Sequence, residues 1–267
     1  MAIKLIALDI DGTLTNELYT VSEANHRSIK RAEERGIVVS LATGRGRIAT
    51  RPIWRACDLH GPSIQFGGAM MTDIDTERIL KIHELDPEVI REVLAFAAEN
   101  HVVAQIYVDD VVILEEMNPF SEGYINRHHL PYLLDTDIRK KTYHNVPKIL
   151  AFADDGREEM IFDLFRKRFS GVAQISRSNP RFIEINSLGV TKATAVEELS
   201  EMLGIRREEV AAVGDNYLDR EMIEWAGLGV CMADGAEAVR AVADLIIPPC
   251  DEDGVSYFIE HHILKSI

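Results

Sequence analysis

A doubly wound parallel α/β core, interrupted by an inserted α+β module, is the architecture the sequence predicts. Three observations predict it. Short, almost wholly apolar runs recur towards both ends of the 267-residue chain. They are too brief for helices and apolar on both faces, as strands buried between two helical layers must be. Helical patterns with recognisable caps fall between these runs, and such alternation is how parallel strands are connected. The middle of the chain breaks the rhythm, because its strands cluster and are joined by tight turns.

The elements follow in order. Ile3 to Ile10 reads as the first buried strand. Ser22 is placed to cap a helix that Gly36 closes, and Ile37 to Ala42 forms the second strand. Ser63 to Phe66 reads as a third of the same parallel type. Asp86-Pro87 then opens a helix bearing Val89, Ile90, Val93, Leu94 and Ala97. Val103 to Val108 and Val111 to Glu115 form a hairpin about Asp109-Asp110. Pro147 to Ala153, a helix over Glu158 to Phe169, Val172 to Arg177 and Phe182 to Ile185 complete a module of clustered strands and two helices. Thr191 caps a helix with Val196, Leu199 and Leu203 on one face and Gly204 at its end. Val210 to Val213 and Leu228 to Met232 resume the parallel pattern, with Leu245 to Ile247 as a sixth strand. The division expected is a core of residues 1–82 and 189–267 around an insertion of residues 83–188.

Composition excludes several classes. Lys and Arg number 29 against 44 Asp and Glu, a net charge of -15 that would repel a nucleic-acid backbone, and the basic residues are scattered. Local charge in a cleft can still favour a small phosphorylated ligand. No apolar stretch approaches the ~18 residues of a spanning helix. Cys57, Cys231 and Cys250 match neither a metal spacing nor a disulfide framework. The Met-Ala-Ile-Lys-Leu start runs straight into a strand without a signal peptide, so a reducing cytoplasm is the compartment expected. No uninterrupted apolar surface stripe indicates an oligomeric state.

The chemistry gathers where strands end, which is where open parallel sheets bind ligands. Leu8-Asp9-Ile10-Asp11-Gly12-Thr13-Leu14 ends the first strand with two carboxylates on one side of the chain. Neighbouring acids repel, so such a pair holds a cation or divides labour as nucleophile and acid. An Asp-Gly turn alone would look the same. The second strand leads to Thr43-Gly44-Arg45, and the strand at Val210 leads to Gly214-Asp215-Asn216, with Asp219 four residues beyond Asp215. Lys192 stands in the first turn of a helix. Singly, these are a turn threonine, helix-start acids and a solvated lysine. Together they are an acid pair, a hydroxyl, an ammonium and a second acid pair, a set suited to phosphoryl transfer.

In these four segments the sequence resembles the haloacid dehalogenase superfamily of aspartyl-phosphate phosphatases, and more narrowly its Cof-type, sugar-phosphatase-like branch. The motifs are Asp9-Ile10-Asp11-Gly12-Thr13-Leu14, Thr43-Gly44-Arg45, Lys192 within Gly189-Val190-Thr191-Lys192-Ala193, and Gly214-Asp215-Asn216-Tyr217-Leu218-Asp219. The resemblance covers essentially the whole chain. It implies a Rossmann-like core, and an inserted cap that closes over the site and selects the leaving group. It implies Asp9 as nucleophile and Asp11 as the acid that protonates the leaving oxygen and then activates water. Thr43 would bind the phosphoryl group, and Lys192 would neutralise it and Asp9. Mg2+ would bind the Asp9 carboxylate, the Asp11 carbonyl and Asp215, with Asp219 supporting the metal site or Lys192. Gly44, Arg45, Arg47 and Asn216 are candidate substrate contacts. The chain departs from the branch at Gly67, Leu218 and Asp234, where Asn is common.

The expected activity is Mg2+-dependent hydrolysis of small phosphomonoesters, such as sugar phosphates, through an aspartyl-phosphate. A phosphomutase-type phosphotransferase and a non-catalytic sensor of phosphorylated ligands are the alternatives. Arg47, Arg51 and Arg55 form a basic stripe at helical spacing, which is either an anion guide or a solvated face. Arg177, Asn179 and Arg181 could reach a sugar hydroxyl or simply form a polar turn, and the nine histidines lack metal spacing.

Overall fold

A computed structural model describes residues 2–16, 20–153 and 156–266. In chain order the strands are β1 (Leu5–Leu8), β2 (Val38–Leu41), β3 (Pro62–Gln65), β4 (Met70–Asp73), β5 (Ile79–Ile82), β6 (Val103–Val108), β7 (Val111–Leu114), β8 (Tyr132–Leu134), β9 (Ile149–Phe152), β10 (Ala173–Ser176), β11 (Phe182–Ser187), β12 (Val210–Gly214), β13 (Leu228–Met232) and β14 (Leu245–Ile247). The helices are α1 (Glu23–Glu34), α2 (Arg47–Cys57), α3 (Pro87–Glu99), α4 (Pro119–His128), α5 (Glu158–Phe169), α6 (Lys192–Met202), α7 (Arg220–Trp225), α8 (Glu237–Arg240) and α9 (Gly254–Phe258). The chain divides into two compact units, Met1–Arg45 with Thr50–Leu80 and Thr191–Ile267, and Gly46–Ala49 with Lys81–Val190. None of the helices described is long and apolar enough to cross a membrane.

The first unit carries a parallel sheet of order β14-β13-β12-β1-β2. Every residue of β1 is buried, and its side chains alternate between two cores. Ile6 and Leu8 pack in the same core as Ile29 of α1 and Phe258 of α9. Leu5 and Ala7 pack with Val196 and Leu199 of α6 and Met222 of α7. Helices therefore cover both faces, and a fully buried Leu of this kind contributes roughly 1.5–3 kcal/mol. The chain leaves β1 towards β2 on one side, while β12 lies on the other. That reversal of strand order opens a crevice at the C-terminal ends of β1, β2 and β12.

Local signals explain the helices around this crevice. Ser22 caps α1 by accepting from the Asn25 N–H. Thr191 caps α6 in a reciprocal box with Thr194, so Lys192 is the first helical residue. The third strand differs from its expected form. β3 meets the parallel sheet at an Ala42–Ile64 bridge, then turns back through Phe66–Gly68 into antiparallel β4, with β5 beyond. The strands β4 and β5 are short and carry no periodic signal of their own.

The second unit is a six-stranded sheet of order β10-β11-β9-β6-β7-β8, antiparallel except at β7–β8. The β6–β7 turn places Asp109 and Asp110 at φ 48° and 68°, the left-handed pair a two-residue hairpin requires. Asp86 caps α3 and accepts from the Glu88 N–H at 2.7 Å. Phe96 of α3 meets Phe165 and Phe169 of α5 edge to face, at 5.1 and 5.3 Å between centroids. Among the described residues the unit has three long helices, α3, α4 and α5, where the sequence indicated two. α4 is weakly amphipathic, and its marks are only the Asn118 cap and Pro119 at its first position.

Candidate active site

Alternation along β1 aims the first acid. Asp9 has the parity of Leu5 and Ala7, the residues facing α6, and its N–H still donates to the Val213 carbonyl at 2.9 Å. Its carboxylate is buried against the first residue of α6: Lys192 Nζ donates to Asp9 Oδ1 at 2.6 Å and to Asp219 Oδ1 at 2.6 Å. Asp219 is wholly buried. Its other oxygen accepts the N–H groups of Asp215 and Asn216 at 3.1 and 2.9 Å, closing the loop after β12. Asp215 is tied to the first motif, for Thr13 Oγ1 donates to its Oδ1 at 2.7 Å.

Two glycines make room for this. Gly12 has φ +84°, and a Cβ there would lie 2.6 Å from Asp215 Oδ2. A Cβ on Gly214 would lie 2.4 Å from that of Asp219, so the end of β12 must be bare for Asp219 to fold back beneath it.

The electrostatics are unbalanced. Asp9, Asp215 and Asp219 each offer an oxygen atom, all within 4.8 Å of one another, the one such His/Cys/Asp/Glu group among the described residues. Burial, then repulsion from Asp219, drives the Asp9 carboxyl well up, against the pull of Lys192. Burial and Asp219 likewise push Asp215 up to about 7, with Asp234 adding to the rise. Burial opposes the Lys192 charge, yet Asp219 and Asp9 outweigh it and hold the ammonium above its ordinary value. One ammonium therefore faces three carboxylates. Hard oxygen donors with excess negative charge fit a small divalent cation such as Mg2+.

The remaining expected residues take varied places. Thr43 is buried, and its Oγ1 accepts the Arg45 N–H at 3.1 Å. Gly44 lies beside Leu218, so the loops after β2 and β12 adjoin. Asn216 caps the turn after β12, its Oδ1 accepting the Tyr217 N–H at 2.6 Å. The Asp11 side chain is not part of the acid cluster; its carboxylate turns to Arg45, which donates from Nε at 2.8 Å and from Nη2 at 2.5 Å. Arg47 groups with the second unit, where its Nε donates to Asp110 at 2.7 Å. Arg51 pairs with Glu77, and Arg55 is exposed, so the basic stripe is a solvated and salt-bridged face. Arg177 pairs with Glu159, and Asn179 accepts the Arg181 N–H, a polar turn. Sequence reasoning missed the Thr13–Asp215 and Arg45–Asp11 contacts, whose partners lie 202 and 34 positions apart.

The chain is similar to known proteins over nearly its whole length. The sequence pattern of the haloacid dehalogenase-like hydrolases matches residues 6–259. The chain is 30% identical to the Bacillus subtilis 5-amino-6-(5-phospho-D-ribitylamino)uracil phosphatase YcsE, over 98% of this chain and 96% of that one. It is 26% identical to the Escherichia coli pyridoxal phosphate phosphatase YbhA, over 99% of this chain and all of the other. A haloacid dehalogenase-like hydrolase from Bacteroides thetaiotaomicron superposes with a TM-score of 0.86 at 30% identity, over 97% of this chain and 98% of that chain. A match of this extent identifies the chain as a member of the haloacid dehalogenase-like hydrolase family, of the Cof type.

Proposed function

We propose that this enzyme is a Mg2+-dependent phosphatase of small phosphorylated metabolites, working through an aspartyl-phosphate. The observation that carries the reading is the buried Lys192 ammonium, 2.6 Å from both Asp9 and Asp219, with Asp215 completing an oxygen cluster. Lys192 takes one oxygen of Asp9 and leaves the other to attack phosphorus. Asp9 forms the new P–O bond as the ester P–O bond breaks, and Asp11 gives the leaving oxygen its proton. Asp11 then takes a proton from the water that hydrolyses the acyl phosphate, returning Asp9 to a free carboxylate. Splitting the displacement in two avoids direct attack of water on the ester. Thr43 and Lys192 bind the phosphoryl oxygens, and Asp219 holds Lys192 in place.

Asp9, Asp215 and the Asp11 backbone carbonyl would hold Mg2+, which supplies the charge neutralisation that lets a carboxylate approach a phosphate. The relatives named for a ribitylaminouracil phosphate and for pyridoxal phosphate support a small phosphorylated metabolite as substrate. Three free cysteines are consistent with a cytoplasmic enzyme. The test is phosphate release from an aryl phosphate and a panel of metabolite phosphates, with Mg2+ or with chelator. Turnover that needs Mg2+ and is lost in Asp9→Asn is expected. Full activity in Asp9→Asn would remove the nucleophile, and isomeric sugar phosphates as products would mean a mutase.

A further inference from the structure

Arg45 and Asp11 form a two-pronged ion pair, Nε to Oδ2 at 2.8 Å and Nη2 to Oδ1 at 2.5 Å. Its two members are unequally held. The Arg45 side chain is 8% exposed and that of Asp11 48%. Arg45 is pinned through its backbone as well, its N–H donating to Thr43 Oγ1 at 3.1 Å and its carbonyl accepting from the Phe66 N–H at 2.9 Å. Asp11 stands on the turn after β1, half in solvent, and the acid cluster does not include it. The arginine is the fixed member, and a planar guanidinium that engages both oxygens sets the distance and the plane of a carboxylate.

We infer that Arg45 is a positioning residue for Asp11. It determines where the Asp11 carboxylate stands, and does not itself serve as a ligand of the transferred phosphoryl group. Its Nε and Nη2 both engage Asp11, which favours this role over the substrate contact its place in the second motif suggests. The inference rests on the phosphatase reading above, in which Asp11 serves the leaving oxygen.

A residue acting through Asp11 leaves a signature in leaving-group dependence. General acid assistance is worth about 100- to 10,000-fold when the leaving oxygen needs a proton. An alkyl oxygen needs one, whereas a nitrophenolate departs as a stable anion. The readout is kcat/KM, which reports steps through departure of the leaving group and not the later hydrolysis of the acyl enzyme. Wild type, Arg45→Ala, Arg45→Lys, Asp11→Ala and the Arg45→Ala/Asp11→Ala double variant are compared on p-nitrophenyl phosphate and an alkyl phosphate. Arg45→Ala is expected to lose at least about tenfold more on the alkyl ester than on the nitrophenyl ester. Arg45→Lys is expected to recover part of that difference, and in the Asp11→Ala background the extra alkyl penalty should vanish. Equal losses on both esters, or fully additive losses in the double variant, would overturn the inference. Should Arg45→Ala fail to fold, Arg45→Lys carries the same comparison between esters. A wild-type enzyme that releases phosphate from no ester would instead sink the phosphatase reading.

Discussion

Asp219 accepts the Lys192 ammonium at 2.6 Å on one carboxylate oxygen and two backbone N–H groups on the other. All three donors are satisfied by one side chain with no access to solvent. Asp219→Asn keeps the volume but turns an NH2 group towards donors, whichever way the amide is flipped. We expect a loss of about 2–4 kcal/mol in chemical denaturation, together with a large fall in kcat. A variant as stable as wild type would show that Asp219 is not the brace of the loop.

Asp215 should behave in the opposite sense. In the unfolded chain it ionises near its ordinary 3.8, and in the folded, metal-free enzyme near 7. Between those values the folded form keeps a proton that the unfolded form has released, so stability falls as pH rises through the window. Asp9 shifts in the same direction. Asp215→Asn removes its share, and in chelator it should gain on wild type between pH 5 and 7.5 by roughly 2–3 kcal/mol, at about 1.36 kcal/mol per pKa unit. Urea midpoints measured across that range check this. Parallel curves for the two proteins would refute it, and added Mg2+ should close the gap.

Lys192→Met leaves buried carboxylates without their cation. Removing one partner of a buried ion pair costs roughly 3–5 kcal/mol, and here the cost should shrink as pH falls and the acids take up protons. Activity should fall by at least about 1,000-fold, since the charge that Asp9 and the phosphoryl group share is no longer offset. Denaturation at pH 5 and pH 8, alongside turnover, tests both halves.

The sequence made most of this site legible through regularities that survive folding. Strand parity puts Asp9 and Asp11 on one side of the chain, the structure showing the Asp9 side to be that of α6, and the Thr191 cap puts Lys192 at the start of that helix. The sequence shows Asp215 and Asp219 four residues apart, but that Asp219 folds back onto the Asp215 N–H is seen only in the structure. The hairpin at Asp109-Asp110 was readable because its turn needs residues tolerant of positive φ. The β4–β5 extension was hidden because four-residue strands bearing Thr, Asp and Lys have no distinctive period. The Asp11–Arg45 fork was hidden for a different reason. It joins side chains on two loops, and nothing in either segment states that the loops approach.

Gly12→Ala tests the close approach of the first and fourth motifs. The backbone is at φ +84°, and the new Cβ would meet Asp215 Oδ2 at 2.6 Å. Strain of this kind costs on the order of 1–3 kcal/mol, and the carboxylate has to move to relieve it. Mg2+ activation should weaken along with stability, read as the metal concentration for half-maximal turnover. Unaltered activation would mean that the Asp215 carboxylate is free to shift without consequence.

Thr13→Val separates charge tuning from packing. The substitution is nearly isosteric at a fully buried position, and it removes the 2.7 Å hydrogen bond to Asp215 Oδ1. That bond favours the ionised carboxylate and opposes the rise produced by burial and Asp219. Without it, Asp215 should hold its proton to higher pH, so more of the metal-binding form is lost on the acid side. A hydrogen bond to a charged group is worth about 1.5–3 kcal/mol, which corresponds to at least about tenfold weaker Mg2+ activation near pH 6.5. The deficit should shrink as pH rises towards about 9, where Asp215 becomes ionised in the variant as well. Titrations of Mg2+ against turnover at the two pH values decide it, because a packing defect would weaken activation equally at both.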